Sequence, residues 1–408
     1  MTHTATPDGA EETGVSFLRN RNFAGLILAN TILGAAFPIQ LVLGGLTGLM
    51  LAPSPALATL PASVQTFAGL VAAAPFSLLM GRMGRRAGFA LGGVLTLLGA
   101  LAAVQALFSQ DFALLCAAHF LMGAGWAAFQ YFRFAAGEVV APSKRPVAIS
   151  LMLSSLLVAA LVGPQIFVVA KDALAPIPFA GAYGAIALIA ALGLLPLGFV
   201  NMPRPAPVEP GQRAGVIGGL SELRHRPVRR AVGIAAVSQG VMVFLMVPTP
   251  IAMIACGFTE ETASDVIRWH IVAMFAPSFF TGFLIQRFGA ERIALTGLAI
   301  VFAAAGGAAM GISALHFYGA LIVLGLGWNF SFIGATTLLA AAVPEAQKAA
   351  VQGANDTIIA LVSTLCAFAA GFVISSLGWT VLALVSGSLV LFLIVALIVD
   401  KDGRARTA

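Results

Sequence analysis

The sequence predicts an all-α membrane protein in which twelve transmembrane helices form two bundles of six. First, 60% of the 408 residues are hydrophobic, only 9% are charged, and the mean hydropathy is +0.98. A soluble domain carries about a quarter charged residues, so this chain belongs in a bilayer. Second, twelve apolar segments are long enough to cross that bilayer. Third, the longest polar break divides them six and six.

Each segment has the roughly 20 apolar residues that a helix needs to cross the hydrocarbon core. The predicted spans, numbered 1 to 12 in chain order, are 23–48, 58–80, 87–108, 112–136, 147–169, 178–200, 231–254, 266–285, 293–312, 316–341, 351–375 and 379–399. The apolar runs are uninterrupted, whereas strands of an outer-membrane barrel alternate apolar and polar residues. The pattern therefore favours helices.

The basic residues predict the orientation of the spans. With twelve spans both termini lie on one side, and that side holds all but three of the 22 Lys and Arg residues. The exceptions are Lys171 and Arg268 in the opposite loops and Arg133 in span 4. Because Lys and Arg concentrate in cytoplasmic loops, the termini and the central loop are predicted to be cytoplasmic. The net charge of +6 then reflects topology and contact with anionic lipid, and no nucleic acid is required.

The chain divides into five parts. Residues 1–22 lack the apolar core of a signal peptide and predict a disordered cytoplasmic tail. Residues 23–200 form the N-terminal bundle, 201–230 a cytoplasmic linker rich in Pro, Gly and Arg, 231–399 the C-terminal bundle, and 400–408 a second tail. The three cysteines are scattered without a C-x-x-C pair, so neither a disulfide framework nor a zinc site is predicted.

Two motifs recur at equivalent places in the two halves. G-A-G-W begins at Gly123 in span 4, and G-L-G-W begins at Gly325 in span 10, an offset of 202. GRMGRRAGF follows span 2 and IQRFGAERI follows span 8, which aligns Gly84 with Gly289 at an offset of 205. We infer a duplicated six-helix unit, an architecture known in transporters that bind substrate near the bilayer midplane.

Six plus six helices, a basic central loop and G-R-x-G-R-R after span 2 resemble the Major Facilitator Superfamily over about residues 20–400. The resemblance implies a secondary transporter that works by alternating access between its bundles. In that family an acidic residue usually precedes the first arginine of the loop motif, and here Gly81 holds that position. Arg82, Arg85 and Arg86 are therefore open to two interpretations, a gating role or cytoplasmic anchoring.

Spans 7 and 8 each carry a pair of candidate metal ligands four residues apart. Span 7 contains Met242 and Met246, and span 8 contains His270 and Met274. Residues four apart share a helix face, and Met242 and Met274 lie roughly 16 Å and 12 Å from opposite membrane faces. Consecutive spans are expected to be neighbours, so the four side chains are candidates for one site. Thioethers and imidazole suit Cu(I), but methionine is also a common core filler, so packing or contact with an organic substrate is the alternative.

These motifs, with the stretch GLGWNFSFIGATTLL…VPEAQKAAVQGANDT, are similar to those of the CcoA-type copper importers, a group within the same superfamily. The resemblance implies import of copper, as Cu(I), across a bacterial inner membrane to supply assembly of cbb3-type cytochrome oxidase. Met242, Met246, His270 and Met274 would bind the copper, which is transported substrate and not a resident cofactor. A periplasmic copper donor and a cytoplasmic copper chaperone are the expected partners. Riboflavin importers are a sister branch, so import of riboflavin or another planar organic solute is the alternative.

Four further residues are candidate soft ligands. Cys116, His119 and Met122 lie three residues apart in span 4, and Cys256 follows span 7. Three-residue steps drift by about 60° around a helix, so the trio does not converge on one atom. A structural role is therefore favoured for the trio, and the sequence leaves Cys256 undecided.

Charged residues near the cytoplasmic ends of the spans are candidates for gating or for local ion pairs. Arg82 ends span 2, Arg133 and Glu138 end span 4, and Asp356 begins span 11. Arg133 and Glu138 lie about one helical turn apart, which favours an ion pair between them.

Several other side chains within the spans have two interpretations. Trp126 and Trp328, in the repeated motif, either pack the helices or stack on a flavin ring. The embedded amides either line a cavity or tie helices together; they are Asn30, Gln40, Gln130, Gln239 and Asn329.

The loops contain no nucleotide-binding loop, catalytic triad or paired carboxylates, so the sequence does not predict an enzyme. A third hypothesis, from another class, is a membrane assembly factor that holds partners without transporting a solute.

Overall fold

The computed structural model describes residues 19–141, 144–202, 216–344 and 347–405, and the regular structure in these ranges is helical. In order, the helices of spans 1 to 6 are Arg21–Gly34 with Ala36–Leu51, Leu60–Met83, Arg85–Ser109, Phe112–Phe129 with Phe132–Glu138, Arg145–Ala170, and Ala180–Leu197. Those of spans 7 to 12 are Arg226–Met246 with Thr249–Ala255, Glu260–Phe275 with Ser278–Phe288, Ala290–Ala309, Ala314–Ala342, and Lys348–Ala405, which contains the last two spans. Short 3₁₀ turns cover Pro55–Leu57 and Glu222–Arg224.

The prediction of twelve spans is confirmed. Eleven helical stretches of the described chain are long and apolar enough to cross a membrane, and the last, Ala350–Val399, is 50 residues long. At 1.5 Å per residue a straight helix of that length would extend about 75 Å, more than twice the hydrocarbon core. Gly378 interrupts it with φ 79° and ψ −179°, a conformation that glycine adopts without steric cost, and so separates spans 11 and 12.

The bundle boundaries differ slightly from the predicted ones. Span 7 begins at Arg226 instead of residue 231, and the linker contains a short helix, Val216–Ser221. Apolar periodicity did not find these because both precede the first long apolar run. The last helix continues to Ala405, into the predicted C-terminal tail. Most of the predicted N-terminal tail, residues 1–18, and linker residues 203–215 lie outside the described residues.

Prolines explain three of the broken spans. Pro38 cannot donate to the carbonyl of Gly34, where the first helix of span 1 ends, and Pro248 and Pro277 coincide with the breaks in spans 7 and 8. A break in a helix is tolerated within the bilayer only where the backbone groups that lose their hydrogen bonds face protein or water. The breaks therefore mark the interior of the bundles.

The inferred duplication is visible in the backbone. Gly84 between spans 2 and 3 and Gly289 between spans 8 and 9 have φ values of 89° and 88°. In span 4, a Cβ atom on Gly123 would overlap the backbone of Gln65 in span 2, and in span 10 a Cβ on Gly325 would lie 2.6 Å from the carbonyl oxygen of His270 in span 8. The repeated glycines thus allow spans 4 and 10 to touch the same neighbour in each half.

The two bundles contact each other through their outer halves. The outer helices of spans 7 and 8 pack on the outer helix of span 1, and span 8 also packs on span 5. On the other side of the molecule span 2 meets span 11, where the Ser63 hydroxyl donates to the carbonyl oxygen of Ala367 at 2.8 Å. Among the described residues, the inner helix of span 8, Ser278–Phe288, packs mainly on spans 9 and 10 of its own bundle. The molecule is therefore closed toward the outside and faces inward.

Gly123→Ala should lower the apparent melting temperature of the purified protein in detergent by several degrees. The added methyl would push span 4 off the span 2 backbone, and overpacking of this kind costs about 1–3 kcal/mol. Gly69→Ala in span 2 is the matched control, because a Cβ at Gly69 meets nothing within 4 Å. Equal melting temperatures for Gly123→Ala and the wild type would contradict the close contact.

Candidate functional site

An apolar cavity lies between the two bundles near the middle of the spans. Its volume is about 20 Å³, so it is a narrow gap in this state, and both bundles contribute to its walls. The lining residues are Gly34, Phe37 and Pro38 of span 1, Trp126 of span 4, Leu156, Ala159 and Ala160 of span 5, and Ile271 and Phe275 of span 8. Ligand sites are typically concave, mostly apolar and placed between domains or bundles, so this cavity is the candidate substrate site.

Aromatic rings of both bundles lie at the cavity: Phe37, Trp126 and Phe275 line it, and Trp328 and Phe332 adjoin Phe275. On the N-terminal side the Phe37 and Trp126 rings stack with centroids 4.1 Å apart and an interplanar angle of 9°. On the C-terminal side the Phe275 and Trp328 rings form a T-shaped pair with centroids 6.3 Å apart, and Trp328 stacks on Phe332 at 4.8 Å. These five rings are partly exposed although they lie within spans. Such walls suit a planar ring, which enters once the bundles separate enough to widen the gap.

The repeated G-x-G-W motif places the two tryptophans. The second glycines of the motif, Gly125 and Gly327, lie against the backbones of spans 3 and 9, where a Cβ would come within 2.6 Å and 3.0 Å of the carbonyl oxygens of Gly92 and Gly297. Both glycines of each motif lie against neighbouring helices of their own bundle. The tryptophan that follows therefore lies on the side of its helix that faces the interior of the molecule. The recurrence of the motif, noted in the sequence, is thus a feature of the site.

The four predicted copper ligands are buried. The side chains of Met242, Met246 and Met274 are 4%, 5% and 8% exposed, and His270 is fully buried. The His270 Nδ1 atom lies 2.7 Å from the carbonyl oxygen of Leu321. Because a carbonyl only accepts, Nδ1 carries the proton and Nε2 has a free lone pair. Within the described residues, this buried Nε2 has no hydrogen-bond partner.

Spans 7 and 8 are neighbours, as expected, and they meet through their outer helices. The outer helix of span 7, Thr249–Ala255, packs on span 8, but the inner helix that carries Met242 and Met246 packs chiefly on spans 10, 11 and 12. Span 10 lies against both spans: Gly325 permits its close approach to span 8, and the Ser331 hydroxyl hydrogen-bonds to the Ser238 hydroxyl of span 7. Among the described residues, the lining of the cavity does not include the four predicted ligands, although Ile271 and Phe275 adjoin His270 and Met274 in the chain. Their joint role as metal ligands stays a prediction.

His119, one of the secondary soft ligands, is already occupied by protein. Its Nδ1 and Nε2 atoms lie 2.7 Å from Gln65 Oε1 and 2.7 Å from the Tyr183 hydroxyl. Gln65 donates to Gln40 Oε1 at 2.9 Å, and the Tyr183 hydroxyl lies 2.9 Å from the hydroxyl of Thr47. This buried network joins spans 1, 2, 4 and 6 and supports the structural interpretation.

The other three secondary candidates remain without an assigned role. Cys116 and Cys256 are free and partly buried, and Met122 is fully buried in the apolar core. Burial raises the pKa of the Cys256 thiol, which disfavours the thiolate that binds metals.

The ion pair of Glu138 is not the one expected. Glu138 Oε1 lies 2.7 Å from Arg85 Nη2, whereas the Arg133 guanidinium lies over the Phe134 ring at 4.8 Å. Positions five apart diverge around a helix, so Arg133 and Glu138 point to different sides. The Arg85–Glu138 pair links span 3 to span 4 within one bundle and gives the loop arginine a carboxylate in place of the one missing at Gly81.

The two remaining charged candidates lie at the cytoplasmic ends of spans 2 and 11, and the charge of Arg133 in span 4 acts on Asp356 in span 11 across the two bundles. Arg82 is exposed at the end of span 2. Asp356, also exposed, accepts a hydrogen bond from Asn355 Nδ2 at 3.1 Å. A gating role for either stays a prediction.

Most embedded amides tie helices together. Asn30 donates to Ser155 Oγ at 2.8 Å, Gln40 belongs to the His119 network, and Asn329 donates to the carbonyl oxygen of Met274 and to Ser278 Oγ across the break in span 8. Gln130 is exposed at the break in span 4. Gln239 differs, because its Oε1 accepts from Trp328 Nε1 at 2.7 Å beside the aromatic wall.

Sequence reasoning missed an ion-pair cluster that links the bundles at the outer surface. Lys171, at the end of span 5, lies 2.6 Å from Glu261 and 3.6 Å from Glu260, both at the start of span 8. The hydrogen bond to Glu261 and the charges of both glutamates raise the pKa of Lys171, so its ammonium stays charged at neutral pH. The signal available in the sequence was that Lys171 is one of only two basic residues in the outer loops.

Lys171→Met should shift the protein toward the outward-facing state. Removing the ammonium leaves two neighbouring carboxylates without a counter-charge and weakens the outer closure, by up to about 1 kcal/mol for an exposed pair. Spin labels at Ala56 and Ala255 lie on opposite bundles at the outer side. The distribution of distances between them, measured by double electron–electron resonance, should gain a longer component. Glu138→Gln, which breaks an ion pair inside one bundle, should leave that distribution unchanged. An unaltered distribution in Lys171→Met would refute a gating role for the cluster.

Comparisons with known proteins agree with the fold. Residues 23–276 match the profile of the Major Facilitator Superfamily. The chain is 36% identical to the riboflavin transporter RfnT of Brucella anthropi over 95% of this chain and 98% of that protein. It is 29% identical to the uncharacterized transporter YdeG of Bacillus subtilis over 91% of this chain and 89% of that one.

Solved structures with little sequence identity share the architecture. The nucleoside transporter NupG superposes with a TM-score of 0.71 at 12% identity, covering 92% of this chain and 99% of that one. The human organic anion transporter MFSD10 superposes with a TM-score of 0.67 at 15% identity, covering 92% and 98%. Twelve spans, a duplicated six-helix unit, an inter-bundle cavity and these matches establish that the chain belongs to the Major Facilitator Superfamily of membrane transporters.

Proposed function

We propose that the protein imports riboflavin, or a planar heteroaromatic solute of the same kind, across the bacterial inner membrane. The observation that carries the proposal is the apolar inter-bundle cavity with Phe37 and Trp126 on one wall and Phe275 on the other. An isoalloxazine ring is flat and polarisable, and stacking on aromatic side chains contributes about 1–3 kcal/mol per ring.

The relatedness to RfnT supports the same substrate class. That protein is named as a riboflavin transporter, and the alignment covers nearly all of both chains. A shared fold alone would not indicate a shared substrate. Here the aromatic walls provide an independent reason, drawn from this chain's own residues.

In the proposed cycle the solute enters from the outside and leaves to the cytoplasm. The closed outer side and the inner helix of span 8, which packs within its own bundle, describe the state that releases substrate inward. Opening the outer side requires separation of Lys171 from Glu260 and Glu261 and of Ser63 from Ala367. The cavity then becomes accessible from the opposite side, as alternating access requires.

Copper import is the second candidate, favoured by the His270 side chain. An imidazole with its Nδ1–H held by a backbone carbonyl and a free, buried Nε2 has the orientation typical of metal-binding histidines. The thioethers of Met242, Met246 and Met274 are soft ligands that suit Cu(I). In this version copper is the cargo, a periplasmic protein delivers it, and a cytoplasmic chaperone carries it toward oxidase assembly.

Uptake assays on one set of variants separate the two candidates. Cells that cannot synthesise riboflavin should grow on low riboflavin when they produce the wild type, and Phe275→Ala should reduce riboflavin uptake roughly tenfold, because a lost stacking contact of about 1.4 kcal/mol is a factor of ten. Phe392→Ala is the matched control, since Phe392 is 76% exposed on the outer surface of span 12.

The double variant Met242→Ala/Met274→Ala should leave riboflavin uptake within about twofold of the wild type. If the wild type fails to take up riboflavin but accumulates radioactive copper, and the double variant abolishes that accumulation, copper import replaces riboflavin import. If the wild type takes up neither riboflavin nor copper, both candidate functions are wrong.

A further inference from the structure

The amide of Gln239 has a fixed orientation. Gln239 lies in the inner helix of span 7, and its side chain faces the indole nitrogen of Trp328 at 2.7 Å. An indole N–H only donates, so the facing atom must be the amide oxygen, Oε1. The amide nitrogen and its two N–H donors therefore point away from Trp328.

These two donors are unused by the protein. Within the described residues, Gln239 Nε2 has no hydrogen-bond partner, and its side chain is partly exposed. The apolar window of span 7 is 83% buried, more than that of any other span. An amide left without partners in an apolar environment is costly. The two unused donors of Gln239 therefore need water or a ligand as their partner.

The neighbouring rings connect Gln239 to the cavity. Trp328 contacts Gln239 through its N–H and Phe275 through its ring face or edge, with Phe275 itself in the cavity wall. The amide thus lies about one indole width from the lining. Other embedded amides differ, because Asn30 and Asn329 donate through their Nδ2 atoms to backbone and hydroxyl oxygens.

We propose that Gln239 determines specificity by donating hydrogen bonds to a carbonyl oxygen on the ring of a planar heteroaromatic substrate. Trp328 is its positioning residue, because the indole N–H holds the amide with its donors turned toward the substrate. This inference rests on the proposed function and narrows its substrate class. The isoalloxazine ring of riboflavin carries two carbonyl oxygens on one edge, which fits, whereas a tricyclic ring without carbonyls would gain stacking alone.

Binding to the purified, full-length protein tests the role of Gln239. Gln239→Glu keeps an oxygen for Trp328 but removes both N–H donors when the carboxyl is ionised, so the assay is run at pH 8, well above the ordinary glutamate pKa. Riboflavin should bind about five- to tenfold more weakly to this variant, the loss of one or two hydrogen bonds. Phenazine, a planar tricycle without carbonyls, should bind equally to variant and wild type.

Two further variants complete the experiment. Gln352→Glu makes the same substitution at an exposed position in the inner part of span 11 and should change neither affinity. Trp328→Phe keeps an aromatic ring but frees the Gln239 amide, so riboflavin should lose more affinity than phenazine. Equal riboflavin affinity in the wild type and Gln239→Glu, or parallel weakening of both ligands, would overturn the assignment of Gln239 while leaving riboflavin import intact. A wild type that does not bind riboflavin would overturn the proposed function itself, and this inference with it.

Discussion

The close contact of spans 4 and 10 with the backbones beside them is the constraint on which the site depends. Gly123 and Gly125 in one half, and Gly325 and Gly327 in the other, leave no room for a Cβ atom against spans 2, 3, 8 and 9. Small residues permit such contacts in a bilayer, where lipid gives helices no hydrophobic reason to associate. Because these faces are committed to packing, the adjoining tryptophans are left facing the interior.

Much of the fold could be predicted from the sequence, because it depends on features that are visible locally along the chain. These features are the length of the apolar spans, the asymmetry of basic residues between loops, and glycines at positions where the backbone has a positive φ. Gly84 and Gly289, aligned by the repeat, share one backbone conformation. Which helix lies beside which is a property of the whole bundle, and spacing along the chain does not encode it. For this reason the sequence did not show that the inner helix of span 7 packs chiefly on spans 10, 11 and 12, or that Glu138 pairs with Arg85.

The site was only partly predictable for a related reason. Trp126 and Trp328 were visible through the repeated motif, but Phe37 and Phe275 are two among 29 phenylalanines, and no pattern separates them from core residues. Polar side chains show their role only through their partners. His119 and Gln40 take part in a buried hydrogen-bond network. His270 Nε2 and Gln239 Nε2, in contrast, have no hydrogen-bond partner among the described residues. The His270 imidazole is suited to bind a soft cation, and the Gln239 amide is suited to donate to a ring carbonyl. Copper import would therefore use the first atom, and riboflavin import the second.

A structure of the protein determined in the presence of riboflavin tests the central claim most directly. Density for the three fused rings is expected between Trp126 and Phe275, with the carbonyl edge toward Gln239. Riboflavin bound elsewhere, or an empty cavity at saturating riboflavin together with a copper ion held by Met242, Met246, His270 and Met274 when copper is supplied, would contradict it.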